Sequence, residues 1–147
     1  MPMGYLYTDG VGRYLDASGA GDREDLAAQW DVSSTKSNIG SAFIDIYAQA
    51  NAAGKPVAVD FLGRLQARVV VLWNKIGTGT QQLKVCDSSD PSKILHTFAD
   101  LASGENDSGL ISLPAWFLNS RRSIKLMALS SVTTDDPVFE SARVYVR

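Results

Sequence analysis

Residues 67–98, ARVVVLWNKIGTGTQQLKVCDSSDPSKILHTF, contain three apolar runs that are separated by two polar stretches. The first run, residues 67–74, is apolar on both faces and rich in β-branched residues, which predicts a central strand of a sheet. Residues 81–87 alternate between polar and apolar, as expected of a strand with one buried face. The dipeptide DP at residues 90–91 is typical of a tight turn. Residues 83–98 are therefore predicted to form a β-hairpin with the polar turn at its tip.

The same kind of pattern continues on both sides of this stretch. Further short runs are apolar or have apolar residues at every second position, and clusters such as NAAGKP, SGENDSG and TTDDP separate them as turns. Many short strands at intervals of roughly 10–20 residues favour a sandwich or barrel over βαβ units. The sequence predicts an all-β protein, an antiparallel β-sandwich of the jelly-roll kind. The additional runs are residues 41–50, 56–61, 123–131 and 138–147.

Two segments carry more specific predictions. Residues 75–80, KIGTGT, follow the central strand and are interpreted as a flexible hairpin tip, because glycine is the usual residue of tight turns. Residues 21–30, GDREDLAAQW, are the place where a helical turn fits, with Asp22 as N-cap and Asp25 three residues further on. Such a turn is too short to change the predicted architecture.

The bulk composition excludes several classes of protein. The chain has 147 residues, a natural length for one domain, and 45% of them are hydrophobic. Its 14 basic and 16 acidic residues leave a net charge of −2, whereas a nucleic-acid-binding protein needs a basic patch.

The N-terminal residues do not resemble a signal peptide, and the longest strongly apolar run, residues 69–73, is too short to span a membrane. The single cysteine, Cys86, fits synthesis in a reducing compartment. We expect neither nucleic acid nor a membrane as a partner.

The first 25 residues differ from the rest of the chain. They contain several glycines and three tyrosines but little periodic pattern. Because ordering glycine costs backbone entropy, this segment is either a frayed terminus or an arm that becomes ordered against a neighbouring molecule. Tyrosine is favoured at interfaces, which inclines the interpretation toward contact. We predict an irregular N-terminal arm over residues 1–25 and a single β-sandwich domain over residues 26–147.

No combination of residues predicts catalysis or metal binding. His96 is the only histidine, and no serine lies in a G-x-S-x-G motif, so a Ser-His-Asp triad is not expected. A nucleophilic pair of Cys86 and His96 would lack a third group to orient it. Asp87 and Asp90 are potential calcium ligands, but the alternating ligands and closing glutamate of an EF-hand loop are missing. We therefore expect structural roles for these side chains, no cofactor, no metal and no enzymatic activity.

The three tryptophans leave two interpretations open. Trp73 follows a fully apolar run and is predicted to lie in the core. Trp116 stands beside Phe117 near the end of a run, where exposure is plausible. It either packs in the core or at a sheet edge, or it contributes to an exposed aromatic platform of the kind that binds carbohydrate.

Residues 33–147 also resemble a known family in the order of their elements. SSTKSNIGSAFIDIYAQA leads into a strand, and residues 67–98 supply a central strand, a Gly/Thr tip, an alternating strand and a Ser/Asp hairpin. LISLPAWFLNSRRSIKLMALSSVTTDDPVFESARVYVR then gives a proline-containing approach, a basic strand start, a long strand, a TTDDP turn and a terminal strand. This order resembles that of the small jelly-roll cement or decoration proteins of tailed bacteriophage capsids.

The resemblance implies a non-enzymatic structural protein of the virion. Copies would bind the outside of the capsid shell and bridge neighbouring subunits of the major capsid protein, forming a homo-oligomer on the particle. The protein would be made in the host cytoplasm and would act at the capsid surface. Weak individual contacts would add up to tight attachment because the lattice is multivalent.

Aromatic residues in poorly periodic or strand-end settings are the candidate contact residues. They are Tyr5, Tyr7 and Tyr14 of the arm, followed by Trp116 and Phe117. Deletion of residues 1–14 is predicted to abolish attachment to the particle while the domain stays folded.

Three alternative functions stay open at this point. A carbohydrate-binding β-sandwich module is suggested by the sandwich pattern and Trp116. A structural protein of a phage tail or fibre would share the predicted fold and the arm. A hydrolase would depend on Cys86 and His96.

Overall fold

The structure is a computed structural model that describes residues 7–8, 14–15, 24–31, 34–35, 39–46 and 55–147, and these residues are mostly in β-strands. A 3₁₀ turn, Ala115–Phe117, precedes the longest strand. The strands of the described residues are β1 (Tyr7–Thr8), β2 (Tyr14–Leu15), β3 (Asp25–Trp30), β4 (Ser34–Thr35), β5 (Ile44–Asp45), β6 (Val57–Asp60), β7 (Gln66–Asn74), β8 (Gln81–Asp87), β9 (Ile94–Phe98), β10 (Gly104–Asp107), β11 (Ile111–Ser112), β12 (Arg121–Ser130) and β13 (Val138–Val146).

The strands form two large antiparallel sheets and one small hairpin. Sheet 1 has the order β10-β7-β13-β3, with β11 also paired to β7 and β4 also paired to β13. Sheet 2 has the order β5-β12-β8-β9. Strand β6 also pairs with β12, opposite residues 121–124 of that strand. β1 and β2 pair with each other, with Tyr7 opposite Leu15 and Thr8 opposite Tyr14. Regular backbone pairing is therefore present within the segment predicted to be irregular.

The path of the chain through the two sheets is that of a jelly roll. The chain passes from β3 in sheet 1 to β5 and β6 in sheet 2, returns to β7 in sheet 1, and crosses again to β8 and β9. It then places β10 and β11 in sheet 1, β12 in sheet 2 and β13 in sheet 1. A six-stranded and a five-stranded sheet connected in this way match the predicted β-sandwich and its jelly-roll character.

The hydrophobic core lies between the two sheets. In β7, Ala67, Val69, Val71 and Trp73 are completely buried, while the alternate residues face outward, as the period of a strand requires. β7 is a central strand, as predicted, because β13 pairs with one edge and β10 and β11 pair with the other. The largest completely buried side chains also include Phe61, Phe117, Phe139 and Leu126.

The predicted hairpin of residues 83–98 is confirmed. β8 and β9 are antiparallel neighbours, with Leu83 opposite Phe98 and Val85 opposite His96. The turn between them is closed by the backbone N–H of Lys93, which donates to the carbonyl of Asp90 at 3.0 Å.

Three local predictions are wrong. Residues 25–30 form strand β3 rather than a helical turn, because Ala28 and Trp30 become buried when the segment pairs with β13. Residues 104–107 form the edge strand β10 rather than a turn, paired with β7. Polar residues suit such an edge because they oppose pairing with other chains. Residues 75–80 are not a hairpin tip, since β7 and β8 lie in different sheets and the segment crosses between them.

A buried polar network fixes this crossing segment. Gln81 is completely buried, accepts a hydrogen bond from the Trp73 indole N–H at 2.9 Å, and donates to the Ile76 carbonyl at 2.7 Å. The Asp135 carboxylate accepts from the Gly79 N–H at 2.9 Å and from the Ser130 hydroxyl at 3.1 Å. This network closes the end of the sandwich at which residues 75–80 cross between the sheets.

Candidate partner-binding site at one end of the sandwich

Exposed apolar side chains are concentrated at one end of the sandwich. This end is formed where β6 leads into β7, where β8 leads into β9, and where residues 108–120 approach β12. Among the described residues, eight large apolar side chains are exposed, and six of them lie here. We call this surface the apolar end; its members are Leu26, Leu62, Leu65, Leu110, Trp116 and Leu118. Exposed apolar groups that share one surface typically mark an interaction site.

Backbone hydrogen bonds hold the loops of the apolar end together. The N–H of Phe61 donates to the carbonyl of Ser120 at 2.8 Å, and the N–H of Leu113 donates to that of Leu65 at 2.9 Å. Leu65 itself donates to the carbonyl of Arg147 at 2.9 Å. Leu65, with 70% of its surface exposed, is thus held on a fixed backbone.

The 3₁₀ turn divides its two aromatic residues between core and surface. Phe117 is completely buried and contacts the ring of Phe61 edge to face, with 5.4 Å between the ring centroids. Trp116, one residue earlier, has 46% of its surface exposed. The turn follows Pro114, whose carbonyl accepts the N–H of Phe117 at 2.9 Å. The turn is therefore anchored through Phe117 and leaves Trp116 exposed on the surface.

Arg122 connects this turn to the β8–β9 hairpin. Its Nε donates to the carbonyl of Trp116 at 2.5 Å, and its Nη1 donates to Oδ2 of Asp87 at 2.8 Å. The guanidinium also lies 5.7 Å from the centroid of the Phe117 ring. One arginine thereby fixes the position of Trp116 relative to the hairpin.

The carboxylate of Asp87 accepts hydrogen bonds from several donors. Its Oδ1 accepts hydrogen bonds from the N–H and the hydroxyl of Ser89 and from the N–H of Asp90. Burial opposes ionisation of this carboxyl, but the hydrogen bonds from Ser89 and Arg122 outweigh it and lower its pKa from 3.8 to about 2. Asp87 is therefore a charged structural residue of the hairpin turn.

Several other charges around the apolar end are paired within the chain. Arg64 contacts Asp25 at 2.7 Å, and Arg121 contacts Asp60 at 3.3 Å. In the hairpin turn, Lys93 lies 3.8 Å from Asp90. Because these charges are compensated locally, exposed apolar side chains are the main chemical feature of this end.

The predicted contact residues have different positions. Trp116 is exposed, whereas Phe117 lies behind the surface and supports it. Tyr7 and Tyr14 lie in β1 and β2, and Tyr5 lies outside the described residues. Their role in partner binding stays a prediction.

Sequence reasoning missed most of the apolar end. Leu62 and Leu65 are on either side of Gly63, which has φ of +73°. The segment FLGRL therefore signals a turn that displays leucines, and this was the available clue. The exposure of Leu110 and Leu118 depends on how distant loops meet, which the local sequence does not encode.

Cys86 and His96 do not form a catalytic pair. His96 is opposite Val85 in the register, whereas Cys86 is opposite Ile94. Cys86 is completely buried, and burial raises the pKa of its thiol to about 11, so the reactive thiolate is scarce at neutral pH. Burial also lowers the pKa of His96, whose ring packs edge to face on Phe98. Both residues have structural environments.

Two further features are absent from the described part of the chain. It contains no group of three or more His, Cys, Asp or Glu side chains placed to hold a metal ion. It also contains no helix with the length and apolar character needed to cross a membrane. In the hairpin turn, Asp90 accepts hydrogen bonds from the N–H and hydroxyl of Ser92, as an ordinary turn residue does.

Comparisons with known proteins give a fold but no family. Neither a protein-family model nor a curated protein matches the sequence. A chain of the T13 viral particle of infectious bursal disease virus matches with a TM-score of 0.51 and 13% identity, over 88% of this chain and 32% of that chain. A chain of the VP2 subviral particle of the same virus matches with a TM-score of 0.50 and 10% identity, over 88% of this chain and 34% of that chain. This chain thus spans about a third of the length of those chains, and at such identities the likeness establishes a shared jelly-roll fold.

Proposed function

We propose that this protein is a structural component of a virus particle, which binds other virion proteins through the apolar end. The observation that carries this proposal is the concentration of exposed leucines and Trp116 on a rigid, charge-compensated end of a jelly roll. The fold is shared with chains of viral particles, which supports the same setting. The binding is non-enzymatic and depends on burial of apolar surface.

Within the particle, we propose the role of a cement or decoration protein. Copies bind the outside of a bacteriophage capsid, bridge neighbouring subunits of the major capsid protein, and form a homo-oligomer there. The resemblance of residues 33–147 to decoration proteins supports this assignment over a tail or fibre protein. Repeated attachment across a lattice converts modest contacts into tight binding.

The chemistry of the apolar end defines the partner surface. A partner that carried strong charge would meet paired charges, such as Arg121 with Asp60, and would gain little from them. A partner with an apolar, weakly charged patch would bury Trp116 and the surrounding leucines. Tryptophan in the centre of such a contact typically dominates its free energy.

Carbohydrate binding is the second candidate, and the exposed Trp116 is the observation that favours it. A sugar stacked on this ring would also need polar groups that are free to bind its hydroxyls. Nearby Arg122 donates to Trp116 and Asp87 instead. Titration with polysaccharides tests this candidate, and a saturable change in tryptophan fluorescence would favour it over a capsid partner.

Co-purification with assembled particles tests the main proposal. The full chain should sediment with particles at a fixed stoichiometry, and Trp116→Ala should reduce its affinity by roughly 30-fold, the effect of losing an interface hot spot. Ile76→Ala is the matched control, because Ile76 is exposed at the opposite end and should be neutral. A freely diffusing chain, or equal binding by both variants, would contradict the proposal.

A further inference from the structure

We propose that the edge strand β9 is a site of self-association, at which β9 of a second copy of this chain pairs antiparallel about a two-fold axis at Thr97. Sheet 2 of one copy and sheet 2 of the other would then form one continuous sheet. The contact rests on the proposed function for its biological setting, a homo-oligomer on a particle. It is measured on the free protein, so its failure and a failure to bind particles are separate results.

β9 is an edge of sheet 2. Among the described residues, this strand pairs with β8 alone, through residues 94–98. An edge strand directs the N–H and C=O groups of alternate residues away from its neighbour, where another strand can bind them. β9 therefore offers main-chain hydrogen bonds to an additional strand.

The hydrogen bonds of β8 identify Thr97 as a residue whose backbone faces the open side. The N–H of Asp87 donates at 2.9 Å to the carbonyl of the residue before β9, whereas the N–H of Ser88 donates at 2.8 Å to a carbonyl of β12. Successive residues of β8 thus bond toward β9 and β12 in turn. By this alternation Lys84 bonds toward β12, and Thr97 lies opposite Lys84. The N–H and C=O of Thr97 therefore point away from β8.

β9 also lacks the charges that protect the other edges. Each of the other edge strands longer than two residues, β3, β6 and β10, contains at least one acidic residue in its sequence, DLAAQW, VAVD or GEND. β9, ILHTF, contains none, and burial lowers the pKa of His96, so its ring is neutral at pH 7. Because charges on an edge oppose pairing with other chains, β9 is the edge where such pairing meets least opposition.

The flanks of β9 favour a second copy as the occupant, because they are complementary to each other in charge. Lys93 stands just before β9 and Asp100 shortly after it, with 36% and 55% of their side chains exposed. Each also contacts a residue of its own chain, Asp90 at 3.8 Å and Lys75 at 2.8 Å. In an antiparallel dimer the lysine of one copy lies near the aspartate of the other, whereas parallel pairing brings like charges together. Exposed charges contribute little free energy, so they select the orientation rather than hold the dimer.

The axis at Thr97 also produces favourable side-chain pairs. It places His96 of each copy opposite Phe98 of the other, and aromatic cross-strand pairs stabilise a sheet. Both rings are half-buried and pack edge to face within the chain, with 4.6 Å between their centroids. Pairing would bury more of each ring. A bulge at Leu95 shortens the regular stretch, so the contact is small and its Kd should be roughly 100 µM.

Opposite charges at position 97 test the contact. The wild type should dimerise in sedimentation velocity as its concentration rises from about 10 µM to about 1 mM. Thr97→Lys and Thr97→Glu should each raise the Kd by roughly tenfold, because two like charges then face each other across the axis. An equimolar mixture of the two variants should regain the dimer. Glu105→Lys is the matched control, since it changes a charge on the exposed edge strand β10 and should leave the Kd unchanged.

Several results would overturn the proposal. One is a wild type that stays monomeric up to about 1 mM, ten times the expected Kd. Another is a dimer that Thr97→Lys does not weaken or that the mixture does not restore, since a different surface would then hold the copies together. Urea unfolding at low protein concentration separates loss of pairing from loss of folding. Thr97→Glu should keep the fold, because the new carboxylate lies opposite Lys84 in its own chain.

Hydrogen exchange on the wild-type chain supplies a readout that needs no substitution. By mass action, the Thr97 amide should exchange roughly fourfold more slowly at 1 mM than at 10 µM, because the second copy accepts its hydrogen bond in the dimer. The amides of β10 should exchange equally at both concentrations. An unchanged rate at Thr97 would overturn the proposal.

Discussion

Single residues determine how the apolar end is held. Arg122 binds the backbone of Trp116 and the carboxylate of Asp87, so one side chain joins the 3₁₀ turn to the β8–β9 hairpin. Asp87 and Arg122 are far apart in the sequence, and their pairing could not be predicted from it. The sequence did predict that residues 87–92 form a hairpin turn, because Asp, Ser and Pro have well-defined turn preferences.

The lowered pKa of Asp87 predicts a loss of stability in acid. A carboxyl whose pKa falls from 3.8 to about 2 on folding stabilises the protein fully above pH 3.8, and this contribution is lost as the pH falls toward 2. We expect the free energy of unfolding to drop over this range in the wild type. Urea denaturation between pH 2 and 5 measures it. Asp87→Asn should have a flatter profile, and identical profiles would contradict this role.

Gly77 and Gly104 form a matched pair for a second prediction. Both have positive φ, +101° and +99°, but a Cβ on Gly77 would lie 1.8 Å from Oδ1 of Asp135, whereas a Cβ on Gly104 would meet nothing within 4 Å. Gly104→Ala should cost about 1–3 kcal/mol from backbone strain alone. Gly77→Ala should cost clearly more, because it also displaces the buried Asp135 network. Equal unfolding midpoints in denaturant for Gly77→Ala and Gly104→Ala would show that the Asp135 network is not displaced.

At the scale of elements, the strands with strong apolar patterns were predictable. β7, β8, β9, β12 and β13 were expected from alternation and β-branched content. Four of them lie in the interior of the sheets, β7 and β13 in sheet 1 and β12 and β8 in sheet 2, and β9 completes the predicted hairpin at an edge. β3 and β10 were missed because an edge strand gains its structure from a neighbour and shows little pattern of its own. The crossing at residues 75–80 was missed because glycine predicts a turn but does not identify the sheet that the next strand joins.

The edge strand β10 leads to a prediction about local stability. Oδ1 of Asn106 accepts the N–H of Ala102 at 2.9 Å, and Nδ2 donates to the Ala102 carbonyl at 2.9 Å. Asn106→Ala should remove this tie and cost about 1 kcal/mol. Hydrogen exchange should then accelerate roughly fivefold at the β10 amides while those of β13 change little. Uniform acceleration across both strands would indicate global rather than local destabilisation.

At the scale of the whole molecule, the two ends of the sandwich have different chemistry. One end is closed by a buried polar network around Gln81 and Asp135, and the other presents leucines and Trp116 on loops fixed by backbone hydrogen bonds. The jelly roll therefore has one end closed by buried polar groups and one end with most of the exposed large apolar side chains of the described residues. The difference between the two ends was not visible in the alternating sequence pattern, because it depends on loops that come together only after folding.

This difference between the ends predicts how attachment to a particle responds to salt. Several charged groups of the apolar end are paired within the chain, as Arg64 is with Asp25 and Arg122 with Asp87. Salt weakens contacts between exposed charges, since the Debye length falls from about 10 Å at 0.1 M to about 3 Å at 1 M, but it does not weaken burial of apolar surface. Occupancy of particles should therefore change less than roughly twofold between these concentrations. Trp116→Ala should reduce it at both. A steep loss of occupancy with salt would instead point to a charged surface elsewhere on the molecule as the contact.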